Sequence, residues 1–473
     1  MKLIKPILVC TALILIFACN TGKKKETVKP IKRDLEEIKE DGKLKAITIY
    51  SGTSYFLYRG QPMGFEYELL ERFANELGLE LEIIIAKDIN SLFNRLNRGD
   101  VDIIAHGLTI TSARRNKVDF TKSFYHTHQV LVQKKPDRWR KMKLHEIQRY
   151  LVNDAIELIG DTVSVRKNSS YYQRLKNLSE EIGGRIIIDT LPGSLATDEI
   201  IKQVVDGKIK YTVADNNIAQ INASYYPILD VSVPVSFSQR IGWAVRPNSP
   251  ELLQQANKWI TKLKDKVDYY VIYNKYFKNE RNFRRRIRSD FYSLNKNKIS
   301  KYDELIKKHS ANLPWDWRLT ASLVYQESRF DPSASSWAGA KGLMQLMAPT
   351  AKDLGVSNRT SPEQSIKGGT KYLNQIWQRF DQVSDSTQRI KFTMAAYNCG
   401  YGHVVDAQKL AEKRDFDKDK WDNNVAKMIL ALSYPKNYND PVVKYGYVKG
   451  IEPYTYVDQI FKRYEHYTKF ISL

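Results

Sequence analysis

Along the first half of the chain, apolar residues fall into short β-branched runs separated by stretches with a helical period. Ala46–Tyr50, Leu81–Ala86, Asp102–Ala105, Thr162–Arg166, Ile186–Asp189 and Tyr211–Ala214 predict strands, and Phe65–Leu77 and Ser91–Arg98 predict helices. Strands alternating with helices from Leu44 to about Pro247 predict an α/β module with mainly parallel sheets. Further along, Trp317–Phe330 reads as a helix ended by Pro332. The small residues Ser333–Ser336 then form a turn, and Gly339 and Gly342 allow close backbone approach before a second apolar helix.

At 473 residues the chain is too long for one ordinary core, and 42% hydrophobic content is enough for folded domains. Lys2 and Lys5 precede an apolar stretch, Ile7–Phe17, too short to span a bilayer comfortably, so residues 1–18 read as a secretory signal. The lysine-rich segment that follows, to about Asp41, reads as a solvated tether. A net charge of +22 favours anionic partners. Nucleic acid is excluded by the export signal and by the lack of any nucleic-acid motif. Of three cysteines, Cys10 lies inside the signal and leaves Cys19 and Cys399, a pair with no zinc or iron–sulfur pattern. His126 and His128 share one strand face without a nearby third ligand, so neither a metal nor a cofactor is expected.

Glu327 is the residue whose chemistry is legible before any comparison. With about 100° per residue, it lies within roughly 40° of Leu323 and 80° of Leu319, on the apolar side of its own helix. Desolvation there raises a carboxyl pKa, the condition for a general acid near neutral pH. The competing reading is a buried glutamate paired with a lysine or arginine.

The run Glu327-Ser328 through Phe330, Pro332, Ala334, Ser336, Gly339-Ala340 and Gly342-Leu343-Met344-Gln345 resembles the core motif of the soluble lytic transglycosylases, whose fold is similar to goose-type lysozyme. Ala396-Tyr397-Asn398-Cys399-Gly400 and Glu452 through Tyr456-Val457 follow in the family's order, with Cys399 where a small residue is usual. The resemblance implies that Glu327 is the sole catalytic carboxylate, cleaving peptidoglycan between MurNAc and GlcNAc to leave a 1,6-anhydro sugar. It implies further that Ser336 lies near the substrate acetamido group and that Met344 and Gln345 line the cleft. Tyr397, Asn398 and Tyr456 would position the sugar and the carboxylate. A hydrolytic muramidase is the nearest rival, because Asp331 offers a second acid one turn on. Its place before Pro332 favours a turn instead.

In the first half, Met63 to Leu70, Arg98 to Asp102, and Gly107 to Thr111 with Arg114 resemble the first lobe of amino-acid-type periplasmic solute-binding proteins. Gly160 to Val165 and Val213-Ala214-Asp215 resemble the second. The likeness implies two lobes joined by crossing strands near Gln129–Lys134 and Gly242–Val245. It implies that Arg114 clamps a ligand carboxylate, Asp215 takes its ammonium, and Gly107 and Thr109 face the ligand. Ala18-Cys19 resembles a bacterial lipobox, with Asn20 after the cysteine. That implies lipidation of Cys19 and anchoring at the periplasmic face of the outer membrane.

Together the halves resemble the membrane-bound lytic murein transglycosylases of F type. The expected organisation is a signal peptide (1–18), lipidated cysteine and flexible tether (19–41), solute-binding module (42–278), basic linker (279–298) and lysozyme-like transglycosylase domain (299–473). The linker carries Arg281, Arg284, Arg285, Arg286 and Arg288. An amino acid or muropeptide bound by the module is the expected effector. A receptor whose wall-anchoring domain is inert stays open as the alternative of a different class.

Overall fold

The computed structural model describes residue 31, residues 33–294 and residues 296–473. The signal peptide and Cys19 lie outside the described residues. Among those described, no helix is long and apolar enough to cross a membrane.

Two sheets form the module. In the first, Glu80–Ala86, Lys43–Ile49 and Ile103–Thr109 run parallel, and Gln239–Val245 joins antiparallel to the last of them. In the second, Ile187–Leu191, Thr162–Arg166 and Tyr211–Asp215 run parallel, with Gln129–Lys134 antiparallel beside them. Each sheet thus has a parallel core with an antiparallel neighbour. The segments expected to cross between lobes each belong to one sheet, and the crossings fall just before them. Tyr125–Thr127 pairs in the first sheet while Gln129 already pairs in the second, and the chain returns between Val235, bonded to Gln129, and Gln239. The helix Phe65–Leu77 starts and stops where its period predicts, closed by Gly78 in a left-handed conformation.

The expected tether ends early. Arg33 pairs with buried Asp102 at 2.7 Å, Asp34 caps a helix at Leu35–Asp41, and Ile38 of that helix is fully buried. A capping box and one apolar contact fold the acidic end of a segment that composition alone reads as solvated. The expected linker is likewise a packed helix, Glu280–Ile287. Phe283 and Arg286, one turn apart, are buried, and the Arg286 guanidinium lies over the rings of Phe56, Tyr276 and Phe283. Arg281, Arg284, Arg285 and Arg288 stay exposed.

The second half is helical. Trp317–Ser328 is buried on every side from Trp317 to Tyr325 and packs against the long C-terminal helix Ile451–Phe470, which also packs on Ser386–Cys399. Asp316 caps the first of these through the Arg318 amide at 2.9 Å. It ends because Arg329 and Phe330 adopt left-handed conformations, at φ 51° and 63°, before Pro332.

The halves meet on a hairpin of the module, Phe56–Tyr58 and Gln61–Met63. Arg59 and Gly60, both at positive φ, make its two-residue turn. Leu57 is buried in the core of the helical domain, and the Tyr467 phenol donates to the Gly60 carbonyl at 3.0 Å.

Candidate functional site

Two sites emerge, one in each half. In the helical domain, Glu327 sits in the last turn of its helix, half-buried. Burial pushes its carboxyl up to about 7, against a hydrogen bond donated by the Tyr456 phenol to Oε1 that favours the charged form. Tyr456 is itself buried on the C-terminal helix, so the partner is held by a rigid element. Burial, and after it the nearby Glu327 carboxylate, push the Tyr397 phenol up, and that phenol donates to the Met344 carbonyl at 2.7 Å.

The loop after the Glu327 helix is fixed from several directions. Ser328 donates to the carbonyls of Leu343, at 2.8 Å, and Val324, at 3.1 Å, tying loop to helix. Gln345, at φ 47°, donates its amide to the carbonyls of Ala334 and Gly342 at 3.0 and 2.9 Å. Ser336 Oγ accepts from the Ala340 amide at 3.0 Å, so the hydroxyl closes a tight turn. Gly342 is required because a side chain there would run into the Arg359 carbonyl.

Glu327 and Tyr456 touch, and Tyr397, Ser336 and Gln345 belong to the same loop-and-helix assembly. Met344 departs from expectation. Its side chain is fully buried, with sulfur packed on Gly369, so its carbonyl and not its thioether serves the site. Asn398 is exposed. Cys399 is half-buried, and burial pushes its thiol up to about 12. Asp331 is exposed and accepts from the amide and hydroxyl of Ser333 at 2.9 and 2.6 Å, a turn-forming role that holds its carboxyl below the usual range.

In the module, the cleft residues stand at the C-terminal ends of parallel strands, where open α/β sheets take ligands. Ser51 follows the strand Lys43–Ile49, and Thr109, Arg166 and Asp215 end theirs. Together with Gly107, Arg114 and Tyr171 they enclose a small divided cavity, about 40 Å³ in one part and about 20 Å³ in the other. Burial pushes the Asp215 carboxyl up to about 7 against the pull of Arg114 and Arg166, and its Oδ1 has no hydrogen-bond partner. Arg114 donates to the Thr109 carbonyl at 2.9 Å. The Thr109 hydroxyl reaches Ser170 of the other lobe at 3.3 Å. The N-terminus of the helix Ser170–Glu181 opens onto the same space, a position suited to an anion.

Arg166, His106 and Asp198 escaped the motif reading. Arg166 had a signal, a charged residue closing an otherwise uncharged strand. Asp198 had none, since it reaches the cleft by accepting from the Gly52 amide of the opposite lobe at 3.0 Å.

The family model for bacterial extracellular solute-binding proteins, family 3, matches residues 50–279, and that for the transglycosylase SLT domain matches residues 304–420. The membrane-bound lytic murein transglycosylase F of Desulfosudis oleivorans is 35% identical over 433 residues, covering 92% of this chain and 91% of that protein. The chain belongs to the membrane-bound lytic murein transglycosylase F family. Another transglycosylase F, from Photobacterium profundum, is 31% identical, covering 91% of this chain and 81% of its own. A solved ancestral amino acid-binding protein, a precursor of cyclohexadienyl dehydratase, is 27% identical with a TM-score of 0.42, covering 52% of this chain and 99% of that one. The similarity to each of the two bacterial relatives spans about nine-tenths of this chain, and so takes in both halves of this transglycosylase F family member.

Proposed function

We propose that the chain is a peptidoglycan lytic transglycosylase in which Glu327 serves as both acid and base. The protonated carboxyl gives its proton to the glycosidic oxygen as the MurNAc C1–O bond breaks, while the substrate's 2-acetamido oxygen attacks C1. The resulting carboxylate then removes the proton of the MurNAc 6-hydroxyl, whose oxygen displaces the acetamido oxygen. The 1,6-anhydro ring closes and no water is consumed. A carboxyl with pKa about 7 suits both steps. Ser336, Gln345, Tyr397 and Asn398 are proposed to position the sugar, with Tyr456 orienting Glu327.

The observation that carries this reading over hydrolysis is the state of Asp331. The usual inverting or retaining hydrolase, without help from the substrate, needs a second carboxylate across the bond. Asp331 is spent on Ser333 and faces solvent. Digestion of purified sacculi in ¹⁸O-labelled water tests the point. Products free of label support the mechanism, and one labelled oxygen per cleavage refutes it.

The relatives are named as membrane-bound. We propose that this chain is held at the periplasmic face of the outer membrane through lipidated Cys19. Metabolic labelling with a fatty-acid analogue, lost on Cys19→Ser, checks this.

The module is proposed to bind an amino acid or muropeptide effector through Gly107, Thr109, Arg114 and Asp215, and to gate the catalytic site. Support comes from the segment Ser51–Tyr55. Ser51, Thr53 and Ser54 line the cleft, and the Gly52 amide bonds Asp198 of the other lobe. Tyr55 hydrogen-bonds His466 and packs on Phe470 of the helix that carries Tyr456. The hairpin turn at Gly60 lies against Tyr325 and Phe330, which flank Glu327. Lobe movement therefore has two contacts through which to reach the carboxylate. An effector that binds yet leaves turnover unchanged would refute gating.

A further inference from the structure

The module's cleft has more charge than a simple amino acid uses. Arg166 is only 6% exposed, its Nε has no partner, and its one hydrogen bond is a long one, 3.5 Å, to the Leu195 carbonyl. Among the described residues, the Arg114 guanidinium donates to the Thr109 carbonyl alone. Among the described residues, neither guanidinium forms an ion pair with a carboxylate. Both line the same cavity as Asp215, which is 5% exposed with Oδ1 unpartnered. Buried charges without partners are costly, and a guanidinium fork matches a carboxylate. The complement of two such forks and one carboxylate is a ligand with two carboxylates and one ammonium.

We propose that the cleft is specific for a free dicarboxylic amino acid whose side-chain carboxylate is taken by Arg166. This rests on the reading of the module as a ligand-binding unit and adds which ligand it selects. Arg114 and the N-terminus of the helix Ser170–Glu181 take the α-carboxylate, and Asp215 takes the ammonium. The other carboxylate meets Arg166, which lines both parts of the divided cavity. Asp198 reaches Arg166 through its field, but among the described residues the two form no ion pair: the Asp198 oxygens accept from the Gly52 amide at 3.0 Å and the Asn222 amide at 2.9 Å, which leaves the Arg166 fork open to a carboxylate. A cavity this small, about 40 Å³ beside about 20 Å³, excludes a muropeptide unless the lobes part widely.

The test is calorimetric titration of the full chain in detergent with L-aspartate, L-glutamate, L-asparagine, L-glutamine and L-leucine. The acids are expected to bind at least about tenfold more tightly than their amides, the scale of one charge-assisted hydrogen bond. In Arg166→Met the ratio is expected to collapse towards one, and in Arg166→Lys to be partly kept. Equal or tighter binding of the amides or leucine to the parent overturns the specificity while leaving the module a receptor. Full discrimination retained by Arg166→Met overturns the assignment of that residue. No binding of any of the five overturns both the proposal and the ligand-binding reading beneath it. Should Arg166→Met fail to fold, the acid-to-amide ratio of the parent still decides.

Discussion

Replacing Glu327 by glutamine should abolish turnover and at the same time stabilise the fold, in a pH-dependent way. Glu327 is raised from an ordinary 4.5 to about 7 by burial. Its folded form therefore holds a proton that the unfolded chain has released between those values, and the parent loses stability as pH rises through the interval. At about 1.4 kcal/mol per pH unit, the full cost is about 3 kcal/mol once pH exceeds 7. Below about pH 4 it vanishes. Glutamine is neutral throughout and keeps an oxygen to accept from Tyr456. Near pH 5 the variant should exceed the parent by less than about 1 kcal/mol, and near pH 8 by about 2–3 kcal/mol. Thermal melts of both proteins at the two pH values read the difference. A gap that does not widen with pH, or a variant that is the less stable near pH 8, would refute the claim that Glu327 is held in a desolvated site.

Other substitutions test the parts around it. Tyr456→Phe removes a bond that favours the carboxylate, so the Glu327 pKa should rise by about one pH unit. The alkaline limb of the pH–rate profile should then move up by the same amount, with a lower maximal rate. Gly342→Ala places a methyl group within 1.8 Å of the Arg359 carbonyl at a residue with φ 85°, and should cost several kcal/mol and most activity. Gly60→Ala would drive a methyl group against the Tyr467 phenol, Phe330 and Tyr325. It should lower the melting temperature and the turnover together, whereas loss of stability with unchanged turnover would mean the seam does not serve the helix that carries Glu327.

Much of this architecture could be read from periodicity, because both the helix Phe65–Leu77 and the strand Thr162–Arg166 are local amphipathic or apolar signals with clear ends. Glu327 was legible for the same reason, a single carboxyl on the apolar side of a helix. What escaped depends on contacts distant in sequence. The helix Leu35–Asp41 is polar by composition and folds through Asp34, Ile38 and the Arg33–Asp102 pair. The arginine-rich helix Glu280–Ile287 exposes most of its charge yet hides Arg286 among three rings. Motif spacing identifies Met344 correctly as part of the loop but says nothing of where its side chain points, and Gly369 takes it into the core. The hairpin at Gly60 belongs to one half by sequence and is a bearing surface for the other.

The most direct test of the account is digestion of purified sacculi by the parent and by Glu327→Gln, with products identified by mass spectrometry. The account predicts 1,6-anhydro-muropeptides from the parent and none from the variant. Reducing-end MurNAc products from the parent, or anhydro products from the variant, would contradict it.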